Sequence, residues 1–400
     1  MTSDFAPASI AILGSTGSIG KSTLDVIQRH PQYKVFALSA HSNVDSLFEQ
    51  CLQFHPEIVV MVDEKAASNL QKLVKKQNLD IEVLAGAASL IQISTHESVD
   101  TVMAAIVGSA GLEPTLAAVK SSKKVLLANK ESLVMAGELF MQAVADSGAC
   151  LLPIDSEHNA IHQCLPEAGA GKMQVDRSLV KRVILTASGG PFLKTPVEEF
   201  SEITPEQACR HPKWKMGKKI SVDSATMMNK GLEFIEACYL FDLNPNQIDV
   251  LIHPQSIVHS LVEYRDGSVL AQMATPDMRI PIAYGLAWPQ RIASGANFLD
   301  LTKASALEFH APDLARFPSL KLGMEAAAAK GTAPALLNAA NEVAVDAFLS
   351  GKISFNQIVL INAEVLSKIP CETALTLAII QAADVAARLE ANQLINRLNH

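Results

Sequence analysis

Short apolar segments alternate with amphipathic segments along the first third of the chain. Runs of Val, Ile, Leu and Ala that end in Gly, Ser or Asn are typical of strands buried on both faces of a parallel sheet. Segments whose apolar residues recur every three to four positions predict helices between them. The pattern predicts strands at 9–13, 33–40, 58–62, 81–85, 101–107 and 124–128, and helices at 21–30, 66–76 and 113–120. This alternation predicts a doubly wound α/β domain.

The pattern changes after residue 154. It predicts strands at 183–187, 248–252, 256–264 and 268–273, a strand from Lys219 into Asp223 and Ser224, and a short helix at 281–288. These strands can form an antiparallel sheet, whose edge is a candidate dimer surface. Residues 289–318 are irregular and predict a linker. Helical patterns at 320–329, 333–349, 354–366 and 373–398 predict a C-terminal bundle. The expected division is therefore 1–154, 155–288, the linker 289–318, and 319–400.

Composition excludes several classes of protein. The 400 residues are 49% apolar and carry a formal charge of −8, which argues against a general nucleic-acid binder. No apolar run approaches the roughly 18 residues of a membrane span, and the first residues lack a secretory signal pattern. The six cysteines include no Cys-x-x-Cys pair. We therefore expect a cytoplasmic protein that acts on a small molecule, with no nucleic-acid or membrane partner.

A glycine-rich loop, Gly14-Ser15-Thr16-Gly17-Ser18-Ile19-Gly20, joins the first predicted strand to the first helix. A loop in this position places a pyrophosphate at a helix N-terminus. The second strand ends in Ala40-His41-Ser42-Asn43, whereas NAD-binding folds usually end it with an acid that binds the ribose. The absence of an acid favours NADP(H), because an acid would repel its 2′-phosphate. His41, Ser42 and Asn43 could all donate hydrogen bonds to that phosphate.

Two carboxylates, Asp155 and Glu157, follow the apolar segment Leu152-Pro153-Ile154. On an extended backbone, residues i and i+2 point the same way, so both carboxylates would face one point. Like charges this close require a cation or a proton between them, and hard oxygen ligands suit Mg²⁺ or Mn²⁺. The alternative is a solvated loop whose polar residues cap a helix.

Asn229, Lys230 and Glu233 share one face of the helix predicted after Ser224. Asn and Lys on that face could bind a phosphate, and Glu233 could complete a metal site with the two earlier carboxylates. Glu236 lies one turn further on, and spacing alone does not choose between the two acids. The alternative is a Glu–Lys pair on the solvent side.

Three further segments are candidates for ligand contacts. Asn129, Lys130 and Glu131 follow a strand at the carboxyl edge of the sheet and would meet nicotinamide and substrate, unless Asn129 is a helix cap and Glu131 part of a first turn. The turn 188–191 (Ser-Gly-Gly-Pro) predicts an anion-binding nest. The basic segment 209–217 contains Trp214 and predicts a lid over substrate, or else a loop whose Trp packs on the core.

Taken together, these motifs resemble the 1-deoxy-D-xylulose 5-phosphate (DXP) reductoisomerases. The resemblance runs in order through essentially the whole chain, in GSTGSIG, MAAIVG, LLANKES, LLPIDSEHNAI, SGGPF, HPKWKMG, ISVDSATMMNKGLE, IHPQSIVHS and LNAANE. It implies an enzyme of non-mevalonate isoprenoid synthesis that uses NADPH and Mg²⁺, Mn²⁺ or Co²⁺ to make 2-C-methyl-D-erythritol 4-phosphate. The implied chemistry is retro-aldol cleavage and re-addition, followed by hydride reduction. The implied assembly is a homodimer with a Rossmann-like NADPH domain, a catalytic domain with a flexible loop, and a C-terminal helical domain.

The resemblance also implies roles for individual residues. The metal ligands fall on Asp155, Glu157 and Glu233, and not on Glu236. The substrate phosphate would be bound by Ser188, Ser224, Asn229, Lys230 and His211. Ser156 and Lys130 would bind the substrate's hydroxyl oxygens, and Trp214 would close over the substrate. Lys130 and His211 join the metal ligands as catalytic residues. The cofactor contacts fall on Thr16, Gly17, Ser18, Ile19, Asn43, Asn129, Glu131, Met216 and Gly217.

One segment departs from the family pattern. Many members carry Gly-Lys-Asn or Gly-Arg-Asn where this chain has His41-Ser42-Asn43. This departure implies either a less strict preference for NADPH over NADH, or that His41 takes over part of the contact that Lys or Arg makes in those members.

Two other functions fit part of the pattern. An NADP-dependent semialdehyde or homoserine-type dehydrogenase would share the N-terminal domain, but would carry a nucleophilic Cys or a catalytic Lys–Asp pair and no trio of metal-binding carboxylates. A dinucleotide-sensing regulator would need a DNA-binding helix-turn-helix or a basic patch, and the sequence shows neither.

Overall fold

The computed structural model describes residues 8–165, 178–210, 214, 216–304 and 306–398. The N-terminal part contains the strands β1 (Ala8–Leu13), β2 (Tyr33–Ala40), β3 (Ile58–Met61), β4 (Glu82–Ala85), β5 (Thr101–Ala104), β6 (Lys124–Leu127) and β7 (Cys150–Pro153). They form one sheet in the order β4-β3-β2-β1-β5-β6-β7, and every neighbouring pair is parallel. The predicted doubly wound α/β fold is confirmed.

Helices connect these strands: α1 (Ser18–Gln28), α2 (Val44–Phe54), α3 (Glu64–Lys76), α4 (Ala88–Thr95), α5 (Leu112–Lys120) and α6 (Lys130–Ser147). Strand β3 reads Ile-Val-Val-Met and is buried at every position, as expected for a strand with helices on both faces. The chain builds outward from β1 to β4 and then crosses to β5, on the other side of β1. Such a crossing leaves a crevice at the carboxyl ends of β1 and β5, where open α/β sheets bind ligands.

The middle of the chain forms α7 (Ser156–Cys164), β8 (Val180–Ala187), α8 (Pro205–Ala208), α9 (Lys218–Thr226), α10 (Met228–Leu240), β9 (Ile248–Ile252), β10 (Val258–Tyr264), β11 (Val269–Met273) and α11 (Arg279–Ala287). Its four strands lie in the order β11-β10-β8-β9. Strand β10 is antiparallel to both of its neighbours, and β9 is parallel to β8. The predicted second sheet is therefore present, with one parallel pair at its edge.

The strand predicted from Lys219 into Asp223 is wrong, because this segment is the helix α9. Alternation of Ile220 and Val222 with polar residues is typical of a strand with one wet face. Here the polar positions are buried as well: Asp223 is 1% exposed. Lys219 and Asp223 form an i, i+4 ion pair of 2.9 Å, which a helix brings together and a strand does not. Met227, in the left-handed conformation, separates α9 from α10.

The C-terminal part consists of α12 (Pro318–Ala329), α13 (Ala333–Leu349), α14 (Phe355–Lys368) and α15 (Leu377–Leu398). These helices agree closely with the predicted bundle. Helix α13 packs against the other three and also against α6, so the bundle rests on the N-terminal domain. The described part of 289–317 contains no helix and leads into α12.

Helix α11 returns to the N-terminal sheet. Its residues Ile282, Ala283 and Leu286 are buried in the same apolar cluster as β1. Gly285 permits this approach, since a Cβ there would lie 2.7 Å from the Ile154 side chain. Among the described residues, no helix combines the length and the apolar character that crossing a membrane requires.

Candidate active site

Asp155 and Glu157 lie where β7 passes into α7. Asp155 immediately precedes the helix, with φ −53° and ψ 132°, and Glu157 is in its first turn. The extended backbone predicted through Glu157 is therefore wrong, because the chain becomes helical at Ser156. The two side chains still converge, since one enters from the residue before the helix and the other from its first turn.

Glu233 comes from α10 and completes a group of three carboxylates. One oxygen each of Asp155, Glu157 and Glu233 lie within 4.8 Å of one another. Helix α10 reaches this point by packing against α6, and Glu233 is fully buried. Three converging carboxylate oxygens form the hard donor set that Mg²⁺ and Mn²⁺ prefer. The residues present therefore fit such a cation.

Two lysine ammonium groups balance these carboxylates. Lys130 contacts Asp155 and lies 3.2 Å from Glu233 Oε1. Lys230 lies 2.9 Å from Glu157 Oε1 and contacts the other oxygen of Glu233. Asn229 of α10 links α10 to α6. Its side-chain oxygen accepts a hydrogen bond from Lys130 Nζ of α6 at 2.9 Å, and its amide donates to Glu233 of α10.

Glu233 and Glu157 differ in how readily they ionise. Burial raises the pKa of Glu233 to about 7, with help from the Glu157 charge and against Lys130 and Lys230. Burial also opposes ionisation of Glu157, but the Lys230 ammonium outweighs it and holds its pKa well below the usual range. Burial lowers the pKa of Lys130, yet Asp155 and Glu233 together raise it further, so Lys130 is charged. Glu233 is therefore the carboxylate that most requires a cation beside it.

Asp155 also adjoins two further titratable residues, His158 and Glu236. His158 Nδ1 is 3.1 Å from Glu236 Oε2, and His158 Nε2 is 2.9 Å from the Glu233 carbonyl oxygen. Asp155, His158 and Glu236 also offer atoms within 4.8 Å of one another. Burial lowers the pKa of His158 to about 4, and burial with the Asp155 charge raises that of Glu236 well above its usual range.

The hydrogen-bond geometry around His158 favours Glu233 over Glu236 as a ligand. A carbonyl can only accept, so His158 donates through Nε2 and, when neutral, presents a lone pair at Nδ1. A protonated Glu236 can donate to that lone pair, whereas a carboxylate would be repelled by it. Glu236 thus braces α10 against His158, and the all-oxygen group is the better cation site.

The residues predicted to bind phosphate come from three elements. Ser188 follows β8, Ser224 lies in α9, and Asn229 and Lys230 begin α10. Gly190 has a φ of +69°, and a Cβ there would lie 2.7 Å from the Ser224 carbonyl oxygen, so the turn after β8 packs directly on α9. Asn229 and Lys230 adjoin the carboxylates as described above. His211 lies outside the described residues.

Trp214 lies beside another predicted substrate residue. It lines a small cavity together with Ser156 and His259, and its ring centroid is 6.1 Å from that of His259. Ser156 donates to Glu157 Oε2 at 2.6 Å, which ties this cavity to the carboxylate group. Burial lowers the pKa of His259. Its spacing in the sequence did not mark His259 as a site residue.

A cavity of about 900 Å³ opens at the carboxyl ends of β1 and β5. Gly14, Thr16, Gly17 and His41 contribute to its lining. Gly14 has a φ of +81°, and a Cβ there would lie 2.8 Å from the Ala105 carbonyl oxygen, so glycine is required where the two strands meet. No side chain caps the N-terminus of α1, which leaves its first backbone N–H groups for an anion.

Several residues predicted to contact a cofactor have structural partners here. Asn129 caps α6 by accepting from Ser132 N at 3.2 Å, and Asn43 caps α2 by accepting from Ser46 N at 3.1 Å. Glu131 is paired with Lys219 at 2.7 Å. The described lining of the cavity excludes these three and also Ser18, Ile19, Met216 and Gly217. Their contacts with a cofactor stay predictions.

Comparisons with known proteins agree along most of the chain. The family model for 1-deoxy-D-xylulose 5-phosphate reductoisomerase matches residues 10–137, and two models for C-terminal domains of DXP reductoisomerase match 151–241 and 273–390. The DXP reductoisomerase of Cellvibrio japonicus is 57% identical over 394 residues, which cover 98% of this chain and 99% of that protein. The chain belongs to the DXP reductoisomerase family.

Solved DXP reductoisomerases share the whole fold. A crystal structure in complex with NADPH, fosmidomycin and magnesium superposes with a TM-score of 0.93 at 48% identity, over 98% of this chain and 99% of that one. The Zymomonas mobilis enzyme in complex with NADPH gives 0.90 at 46% identity, over 97% and 99%. The resemblance noted in the sequence is therefore confirmed for family and fold.

One buried polar network of the chain was not predicted from the sequence. Lys219 lies between Glu131 and Asp223, and Asn341 of α13 donates to Asp223 Oδ1 at 2.7 Å. Asn362 of α14 donates in turn to Asn341 at 3.0 Å. Apart from the i, i+4 pair of Lys219 and Asp223, no spacing signal links these residues, because four different helices bring them together and only the folded chain makes them neighbours.

Proposed function

We propose that this protein converts 1-deoxy-D-xylulose 5-phosphate to 2-C-methyl-D-erythritol 4-phosphate, with NADPH as reductant and Mg²⁺ or Mn²⁺, or alternatively Co²⁺, as activating cation. The observation that carries the proposal is the convergence of Asp155, Glu157 and Glu233 within 4.8 Å, in a chain that also has a dinucleotide-sized cavity at its topological switch point. Relatives of the same family were crystallised with NADPH and with magnesium. The reaction belongs to the non-mevalonate route to isoprenoid precursors.

Asp155, Glu157 and Glu233 hold the cation in this proposal. The bound cation supplies Lewis acidity that stabilises negative charge on substrate oxygens while the carbon skeleton is cleaved and rejoined by the retro-aldol and aldol steps. Lys130, which lies against Asp155 and Glu233, donates a hydrogen bond to a substrate hydroxyl oxygen. Ser156, next to Glu157, donates a second one.

The substrate phosphate anchors the molecule away from the reacting carbons. Ser188, Ser224, Asn229 and Lys230 bind it, with His211 from the loop, and remote binding of this kind orients the reacting atoms. Trp214, beside Ser156, excludes water from the reactive fragments. Thr16 and Gly17, which line the cavity just before α1, would hold the pyrophosphate of NADPH, and the bound cofactor would supply the hydride. Residues 1–154 thus supply most cofactor contacts, and residues 155–288 supply the cation ligands and, together with Lys130, the substrate contacts.

The first test is oxidation of NADPH, followed by absorbance, in the presence of 1-deoxy-D-xylulose 5-phosphate. Oxidation should require both the sugar phosphate and a divalent cation, should stop in excess chelator, and should return on addition of Mg²⁺ or Mn²⁺. Oxidation that persists in chelator would contradict the role of the three carboxylates. No oxidation with any cation, but reduction of a semialdehyde, would establish the dehydrogenase alternative.

We further propose that the enzyme is a cytoplasmic homodimer. Strand β11 is an edge strand that exposes Val269 and Leu270, and Phe298 is almost fully exposed nearby, where Thr275 holds Asn297 by a 3.0 Å hydrogen bond. Exposed apolar residues beside an open edge are typical of a pairing surface. All six cysteines are free, as in reducing compartments. Sedimentation should give twice the mass of one chain, and a monomer would contradict the pairing.

Replacing His41 with Ala should weaken NADPH binding about tenfold and leave NADH binding unchanged. His41 lines the cavity at the end of β2, in the position that meets the ribose in this class of fold. A hydrogen bond to a charged group is worth about 1.5–3 kcal/mol. Because His41 is exposed to solvent, we expect a contribution of roughly 1.4 kcal/mol, which corresponds to a factor of ten in the Kd for NADPH. Calorimetric titration with both dinucleotides measures the effect. Equal affinities of wild type and variant for NADPH would show that His41 does not meet the 2′-phosphate.

A further inference from the structure

The C-terminal helix α15 forms part of the wall of the cofactor cavity. Gln381, Asp384 and Val385 line it, and the rest of the described lining comes from the N-terminal domain. The cofactor contacts expected from the sequence lie within residues 1–154 and at Met216 and Gly217, and none of them lies in the C-terminal helices. The structure therefore adds an element from the opposite end of the chain to that site.

Two hydrogen bonds join α15 to the rim of the cavity. Gln381 Nε2 donates to Glu113 Oε1 at 2.6 Å, and Glu113 is in the first turn of α5 and lines the cavity itself. Arg388 Nη2 lies 3.4 Å from Ser109 Oγ, in the turn that follows β5. Helix α15 thus holds both the turn after β5 and the helix that continues from it.

Helix α13 reinforces this contact through Glu342. Arg388 Nη2 donates to Glu342 Oε2 at 2.6 Å, and Asn338 donates to Glu342 Oε1 at 3.1 Å. Gly108 permits the approach, because it has a φ of +77° and a Cβ there would lie 3.0 Å from Glu342 Oε1. The turn after β5 is therefore held between the two helices of the bundle and the sheet edge.

Arg388 also controls the charge of this wall. Asp384 lines the cavity, and Arg388 Nε donates to its Oδ2 at 2.7 Å. Glu342 is the second carboxylate on the same guanidinium. Burial lowers the pKa of Arg388, but its bonds to Asp384 and Glu342 raise it well above its usual value, so the cation is permanent. Without Arg388, the Asp384 carboxylate in the cavity wall would face a ligand that carries several phosphate charges, and Glu342 would lose its counter-ion.

We propose that α15 is a cofactor clasp: Gln381 and Arg388 fasten it over the cavity, so that seating of α15 and binding of the dinucleotide stabilise each other. The proposal rests on the assignment of this cavity to NADPH. Linkage requires the effect to be reciprocal. Bound NADPH must protect α15, and a loosened α15 must weaken NADPH binding. Gln381 and Arg388 act as positioning residues, since neither is placed on the reacting atoms.

The test uses Arg388→Met and Gln381→Ala in the full-length enzyme, without substrate or cation. Calorimetry should give an NADPH Kd raised about tenfold for Arg388→Met, within the usual range of coupling between sites, and raised less for Gln381→Ala. Hydrogen exchange should show that NADPH slows exchange of the α15 amides in wild type and does so less in both variants. The KM for the sugar phosphate should stay unchanged at saturating NADPH.

The matched controls are Arg397→Met and Gln393→Ala. They make the same substitutions on the same helix at exposed positions away from the cavity, and should change neither Kd nor exchange. Gln381→Ala keeps the test decisive if Arg388→Met fails to fold, because Gln381 is exposed. Unchanged NADPH affinity together with unchanged protection of α15 would overturn the clasp. Failure of wild type to bind NADPH at all would instead overturn the proposed function.

Discussion

Replacing Glu233 with Gln should lower turnover by about 10³-fold or more while NADPH affinity stays within about twofold of wild type. The two oxygens of Glu233 meet Lys130 and Lys230, and the carboxylate closes the group with Asp155 and Glu157. Gln keeps the shape of the side chain and removes its charge, so the cation loses one of three anionic ligands. Glu233 does not line the cofactor cavity, so dinucleotide binding should survive.

The matched variant is Glu236→Gln, one turn further along α10. His158 donates through Nε2 to the Glu233 carbonyl oxygen and presents Nδ1 to Glu236 Oε2, and burial raises the pKa of Glu236. A Gln amide at position 236 can donate to His158 Nδ1 as a protonated acid would. We expect a loss of about tenfold, at the lower end of what residues that position metal ligands contribute. Titration with Mn²⁺, followed by electron paramagnetic resonance, gives cation affinity independently of turnover.

The pair of variants separates the two overlapping groups of possible ligands. If Glu236→Gln lost Mn²⁺ binding and Glu233→Gln kept it, then Asp155, His158 and Glu236 would be the cation site. If Glu233→Gln lost NADPH affinity, the division of labour between the cofactor cavity and the carboxylate group would be contradicted. The expected result is loss of Mn²⁺ binding in Glu233→Gln alone.

The order of strands and helices could be predicted where local pattern and burial agree. Strand β3 is buried throughout and reads as an unbroken apolar run, so its prediction was correct. Segment 219–223 was mistaken for a strand, because its apolar and polar residues alternate while its partners lie elsewhere in the chain. Lys219 pairs along the helix with Asp223, and Asn341 of α13 satisfies the same carboxylate. The contact with Asn341, 118 residues away, leaves no mark on local periodicity.

The candidate site shows the same limit. Asn229, Lys230 and Glu233 share a helical face, so their proximity follows from spacing alone. Their meeting with Asp155 depends on the packing of α10 against α6, which no pattern within either segment encodes. Sequence spacing gives even less indication of the contribution of α15 to the cofactor cavity, since Gln381 and Glu113 lie in different helices 268 residues apart.

Replacing Lys219 with Met should destabilise the enzyme by about 3–5 kcal/mol at neutral pH, the usual cost of removing one partner of a buried ion pair. Lys219 Nζ lies 2.7 Å from Glu131 Oε1 and 2.9 Å from Asp223 Oδ2, and both carboxylates are buried. Asn341 donates a hydrogen bond to Asp223 but supplies no charge. For a chain of this length the unfolding entropy is roughly 0.8 kcal/mol/K, so Tm should fall by about 4–6 °C.

The pH dependence of the decrease in Tm distinguishes loss of the Lys219 charge from loss of the packing of its side chain. Burial opposes ionisation of Glu131, but Lys219 outweighs it and lowers its pKa. The wild-type pair therefore contributes stability above the unfolded pKa of about 4.3 and loses it as pH falls through the lowered folded value. In Lys219→Met, burial without that ammonium should raise the pKa of Glu131 instead. The carboxylate can then take up a proton, so the difference in Tm from wild type should narrow between about pH 8 and pH 5.5.

Scanning calorimetry of the wild type, Lys219→Met and Lys218→Met across that pH range measures these differences in Tm. Lys218→Met is the matched control, because Lys218 is the adjacent residue and is exposed, and surface changes of this kind stay within about 0.5 kcal/mol. A Tm difference for Lys219→Met that is large at pH 8 and shrinks on acidification would establish Lys219 as the counter-ion of Glu131 and Asp223. A difference that stays constant with pH would mean that the side chain stabilises these helices by packing, and that the two carboxylates tolerate burial without it.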